Sequence, residues 1–108
     1  MSRPAEISPS QLHDRLGTTP KPMLVDVRQP FEHETCSLPD SLLIPLGELS
    51  ERLEELDPAQ PIVVYCHHGI RSLSAAVFLQ NAGFPDVVSL AGGIERWAVE
   101  IDPTVPRY

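Results

Sequence analysis

Five consecutive residues, Pro61-Ile62-Val63-Val64-Tyr65, run without a charged or strongly polar side chain and end directly on Cys66. A β-branched run of this kind is a strand buried on both faces, the sort found inside parallel sheets. The chain then passes through a short loop with one glycine, Gly69. Arg71 to Leu79 reads as the helix that follows. A cysteine between a strand end and a helix N-terminus sits where backbone N–H groups converge and the helix dipole is positive. Such surroundings favour the thiolate, which is the reactive form.

The other segments alternate in the same manner. Ser8 is a candidate N-cap with Pro9 at the first helical position; Leu12 and Leu16 share one face, and Gly17 stops the helix. Met23 to Arg28 reads as a central strand that turns polar at its C-terminal end and is broken by Gln29-Pro30. Phe31 to Ser41 reads mostly as loop, and Leu42-Leu43-Ile44 as a short strand ended by Pro45. Leu46, Leu49, Leu53 and Leu56 stand at helical spacing and predict an amphipathic helix with a solvated acidic face. The helix after Cys66 is expected to reach Asn81. Val87 to Leu90 reads as a strand, Gly92-Gly93 opens a last helix through Trp97, and Ile101 to Tyr108 reads as an extended tail.

Strands alternating with helices predict one α/β domain over residues 1–108, built around a central, mostly parallel sheet with right-handed crossovers. Sites in such sheets form at the carboxyl ends of the strands. Asp26-Val27-Arg28 and the Cys66 to Arg71 loop should therefore share one sheet edge.

The formal net charge of -7 argues against nucleic acid or an anionic membrane surface as a partner. An anionic ligand must be drawn in by a local positive field. No apolar run approaches the roughly 20 residues of a membrane span, and Met1 to Pro4 offer no signal-peptide core, so the expected compartment is the cytoplasm. Cys36 and Cys66 are too few for a disulfide scaffold and too far apart for a Cys-x-x-Cys motif. A chain of this size is expected to be a monomer or a weak homodimer.

Four stretches, in order, resemble the rhodanese family of sulfurtransferases. Leu24-Val25-Asp26-Val27-Arg28 with Phe31-Glu32 is similar to the family's first signature, and Leu38-Pro39 with Ile44-Pro45-Leu46 to the stretch that follows it. Cys66-x4-Arg71 stands where the family has its active-site loop, and Gly92-Gly93-x3-Trp97 resembles its closing motif. The resemblance implies a three-layer α/β/α domain and a catalytic Cys66 that takes up a sulfane sulfur as a persulfide. It further implies a substrate-binding loop of His67, His68, Gly69, Ile70, Arg71 and Ser72, whose amides cradle the outer sulfur, with Asp26, Arg28 and Glu32 in support. No cofactor and no metal is implied. The implied partners are a small anionic sulfur donor such as thiosulfate and an acceptor that is cyanide in vitro and a thiol or sulfur-carrier protein in the cell. The loop is neither Cys-Arg-Lys-Gly-x-Thr, associated with thiosulfate enzymes, nor Cys-Gly-x-Gly-x-Thr, associated with mercaptopyruvate enzymes, and so it leaves the donor open.

Two other readings compete. Cysteine phosphatases use Cys-x5-Arg, one residue longer than the spacing here, and the shorter loop should be too tight for a tetrahedral phosphate. A non-catalytic rhodanese-like binding or sulfur-relay module commonly lacks the cysteine that this chain keeps. Adjacent His67 and His68 do not match the ligand spacings of zinc sites. Among single residues, Arg71 is expected either to pair with a carboxylate such as Glu32 or to face the donor, and Asp26 and Arg28 to form an ion pair that fixes loops. His67 and His68 are expected as exposed side chains at the mouth, His33 as a surface residue, Cys36 as a small apolar residue, and Gly69 as a backbone position with φ > 0.

Overall fold

The structure, a computed structural model, describes residues 6–108; Met1 to Pro4 lie outside the described residues. Five strands, β1 (Glu6–Ile7), β2 (Met23–Asp26), β3 (Leu42–Leu43), β4 (Ile62–Tyr65) and β5 (Val87–Leu90), form one sheet in the order β1-β5-β4-β2-β3. Every pairing is parallel. Among the described residues, α1 (Pro9–Leu16), α2 (Pro30–Thr35) and α3 (Ile70–Asn81) connect strands, and α4 (Gly93–Glu100) follows β5.

The apolar run ending on Tyr65 is the heart of the sheet. β4 lies between β5 and β2, and all four of its residues are buried. Strand side chains point alternately to opposite faces. Ile62, Val64 and Cys66 pack with Ala75, Ala76 and Leu79 of α3, together with Leu49 and Leu56. Val63 and Tyr65 face the other way, onto Leu12 of α1 and Ile94 and Trp97 of α4. These are the two outer layers of an α/β/α sandwich. Each fully buried aliphatic side chain contributes about 1.5 to 3 kcal/mol of transfer free energy, so the two clusters fix the layers without any cross-link.

α1 begins as the sequence predicts. The Ser8 hydroxyl accepts from Gln11 N at 3.1 Å while the Gln11 side chain returns to Ser8 N at 2.9 Å, a capping box with Pro9 in the first turn.

The tail, expected to be extended from Ile101, instead turns over residues 101–105, and two inner segments also differ from expectation. Residues 46–56 form two 3-10 stretches, Leu46–Glu51 and Leu53–Glu55, and not one α-helix. Leucines three apart satisfy a 3-10 turn as well as an α-helical one, and Arg52 at the junction clamps Glu48 and Glu55 on either side. Pro30, read as a strand breaker, and residues 31–35, read as the start of a loop, form α2. Pro30 initiates this helix as its first residue, and Glu32 at the third position bonds back to Gln29 N at 3.0 Å.

In the β2–β4 register Asp26 lies beside Tyr65, so Asp26 and Cys66 leave the sheet on the same edge. No described helix is long and apolar enough to cross a membrane.

Candidate active site

Cys66 leaves β4 with its residue only 1% exposed, and its sulfur is met by the start of α3. Gly69 N donates to Sγ at 3.1 Å and Ser72 N at 3.4 Å. Ser72 is the third helical residue, whose amide has no intrahelical acceptor. The N-cap, Gly69, has no side chain to supply one, so the Cys66 sulfur does the capping itself. Negative charge on that sulfur is stabilised by the same amides and by the helix dipole. The Ser72 hydroxyl lies 3.4 Å from Sγ and 2.7 Å from the Ser89 hydroxyl, both serines being fully buried. Once Sγ is a thiolate, Ser72 Oγ can donate to it while Ser89 Oγ donates to Ser72.

A second helix holds the other side of the loop. The orphan amides of α4 go to loop carbonyls: Ile94 N donates to Cys66 O at 2.9 Å and Glu95 N to His67 O at 3.1 Å. The loop backbone therefore caps α4, as the Cys66 sulfur caps α3. Close approach demands glycine at Gly93, which has φ +64° and whose absent Cβ would stand 2.5 Å from Cys66 O. Gly69, with φ +101°, takes the left-handed conformation anticipated for it.

Arg71 does not point at the sulfur. Its guanidinium forms a bidentate pair with Glu32, 2.7 Å and 3.0 Å, tying the loop to α2. This charge-assisted contact, first among its surroundings, pulls the Glu32 carboxyl down to about 2. Asp26 and Arg28 form a second, fully buried bidentate pair at 2.9 Å and 2.7 Å. The remaining Arg28 N–H groups reach Cys36 O, Cys36 Sγ and the Tyr108 hydroxyl, which accepts at 2.7 Å. Every donor of the buried guanidinium thus has an acceptor. Asp26 also meets His33 Nδ1 at 2.8 Å, so His33 belongs to this network and not to the open surface.

Of the residues expected at the site, Cys66, Gly69 and Ser72 converge on the sulfur. His68 and Ile70 are exposed, and Asp26, Arg28 and Glu32 stand behind the loop. His67 differs from expectation. Its ring is sandwiched between His68 and Tyr108, each 4.0 Å away between centroids, and burial followed by the nearby His68 lowers its pKa. Ser89 and Tyr108 are new. Ser89 was detectable as the one polar residue in Val87-Val88-Ser89-Leu90, whereas no local pattern marks Tyr108.

The sequence and the fold both have counterparts. The rhodanese-like domain model matches residues 8–100. A sulfurtransferase of Allochromatium vinosum is 37% identical over 93 residues, covering 86% of this chain and 87% of that protein. The thiosulfate sulfurtransferase GlpE of Pseudomonas syringae is 43% identical over 75 residues, 69% of this chain and 71% of that protein. The probable adenylyltransferase/sulfurtransferase MoeZ of Mycobacterium tuberculosis is 36% identical over 104 residues, 94% of this chain, which spans only 26% of MoeZ. The crystal structure of a rhodanese-related protein from Thermoplasma volcanium superposes with a TM-score of 0.83 at 33% identity, covering 95% of this chain and 98% of that one. A match over most of its length, in sequence and in fold, means that the chain belongs to the rhodanese family.

Proposed function

We propose that the protein is a sulfurtransferase working through a persulfide on Cys66. The observation that carries this reading is the sulfur's position: Sγ accepts the Gly69 and Ser72 amides at the N-terminus of α3. The thiolate attacks the outer sulfur of thiosulfate, the S–S bond of the donor breaks, and its electron pair leaves with sulfite. The product is the Cys66 persulfide anion. Cyanide then attacks the terminal sulfur, thiocyanate departs, and the Cys66 thiolate returns; a thiol or sulfur-carrier protein would take the same place in the cell.

The chain's own groups supply the electrostatics. Charge that resides on Sγ before the attack moves to the terminal sulfur after it. The Ile70 and Arg71 amides, first in α3 and lacking intrahelical acceptors, lie at the end of the helix that receives that charge. One such donor in a comparable oxyanion site is worth about 3 to 4 kcal/mol. The Gly69 and Ser72 amides stabilise the anionic form of the nucleophile, the form that attacks. The GlpE relative, named a thiosulfate sulfurtransferase, supports thiosulfate as the donor.

Two features oppose the phosphatase reading: only four residues separate Cys66 from Arg71, and the Arg71 guanidinium is occupied by Glu32. The test is a thiosulfate:cyanide assay run beside an aryl phosphate hydrolysis assay. Thiocyanate production is expected, lost in Cys66→Ser, with no phosphate release. Cys66-dependent phosphate release without thiocyanate would overturn the proposal.

A further inference from the structure

The segment after α4 runs back to the loop that carries Cys66. Asp102 N donates to Trp97 O at 3.0 Å, Val105 N to Asp102 O at 3.1 Å, and Val105 packs against the core cluster of Leu12 and Trp97. Pro103 and Pro106 restrict the alternatives open to the segment when it is free. Arg107 then pairs with Glu95, whose own backbone amide caps the His67 carbonyl.

Tyr108 makes the last contacts. Its hydroxyl donates to Glu32 Oε2 at 2.7 Å and accepts from Arg28 Nη1 at 2.7 Å, joining the Glu32–Arg71 pair to the Asp26–Arg28 pair. Its ring lies on His67 with 13° between the planes. One side chain thus touches the loop near its start and, through Glu32, near its end.

We propose that Tyr108 is a positioning residue for the Cys66 to Arg71 loop, fixing His67 by stacking and Arg71 through Glu32. The kinetic part of this proposal rests on the sulfurtransferase reading; the geometric part does not. Tyr108 touches no atom on which charge moves, so it acts on how often the free loop has its binding geometry. A ligand that needs a fractionally populated conformation binds more weakly by that fraction, while the bound complex is unchanged. Loss of Tyr108 should therefore appear in KM and leave kcat alone. His67 reports the stacking arm. It is faced by His68, Tyr108 and the Glu95 carboxylate at 4.0 Å, with Glu32 and Arg28 further off, and burial is the main reason it resists protonation.

The test compares Tyr108→Phe, which keeps the ring, with Tyr108→Ala, which removes it, both in the full chain. NMR titration of the His67 imidazole is expected to be unchanged in the Phe variant and to move up toward 6.5 in the Ala variant. Both variants should raise KM for thiosulfate about threefold to tenfold, with kcat within about twofold, and speed alkylation of Cys66 by iodoacetamide by a similar factor. An unmoved His67 titration in Tyr108→Ala, or unaltered alkylation and KM in both variants, would overturn the proposal. If the wild-type protein transfers no sulfur, the function proposed above fails, while titration and alkylation still decide the role of Tyr108.

Discussion

Gly93 lies against the backbone of Cys66 so closely that a single methyl group between them would stand 2.5 Å from the Cys66 carbonyl oxygen. The contact is backbone to backbone, so no side chain can rotate away to relieve it. Gly93→Ala would also force a residue with a Cβ into φ +64°. The expected cost is about 3 kcal/mol or more, combining strain with displacement of the loop. Urea denaturation should show it, and sulfur transfer by the folded fraction should fall as the Ile94 N to Cys66 O bond is lost.

The buried Asp26–Arg28 pair gives a second prediction. Asp26→Ala leaves a guanidinium that is 0% exposed without its carboxylate, and His33 without its partner. Breaking a buried pair from one side costs about 3 to 5 kcal/mol. Arg28→Met with Asp26→Leu removes both charges and should recover much of that loss in equilibrium unfolding, although the Tyr108 hydroxyl loses a donor.

Acid stability should track Glu32. Its carboxyl sits at about 2 in the fold against a usual 4.5, chiefly because Arg71 bonds to it. A depressed folded value means that the unfolded chain binds the proton first. The contribution is therefore complete above about pH 4.5 and lost as pH falls toward 2. Allowing for solvent around the half-exposed Arg71, it amounts to about 2 kcal/mol. His67, held neutral by burial, acts in the same sense from about 6.5 downward. Denaturation midpoints measured against pH should fall less steeply between pH 5 and pH 2 (roughly that window) in Glu32→Gln than in the wild type.

The Ser72–Ser89 pair supplies a fourth. Ser72→Ala removes a hydroxyl 3.4 Å from the sulfur and strands Ser89, so kcat/KM for sulfur transfer should drop about tenfold. Ser89→Ala leaves the Ser72 hydroxyl in place and should cost less, about threefold. Equal losses in both would mean that the pair acts on packing and not on the sulfur.

Much of this was legible from short-range patterns. Ile62 to Tyr65 announced a central strand because burial on both faces excludes polar residues. Cys66 marks a candidate site because it ends that strand one loop before a helix. The misread segments are places where one local signal serves two structures. Pro30 stops a strand and starts a helix, and Glu32 at the third position of α2 was the discriminating sign. The leucines of residues 46–56 repeat at three and four, which a broken 3-10 path satisfies as well as an α-helix. No sequence pattern separates an Arg71–Glu32 pair from an Arg71–donor contact, since partners 39 residues apart leave no periodic trace. The stacking of Tyr108 on His67 is more remote still, created only when the segment after α4 folds back.

Whether Cys66 carries the transferred sulfur is read out by intact-protein mass spectrometry. After incubation with thiosulfate, the protein should gain the mass of one sulfur atom. Peptide mapping should place it on Cys66, Cys36 should be unmodified, and Cys66→Ser should show no gain. The absence of any such adduct with thiosulfate, mercaptopyruvate or a cysteine desulfurase would mean that Cys66 is not a sulfur carrier.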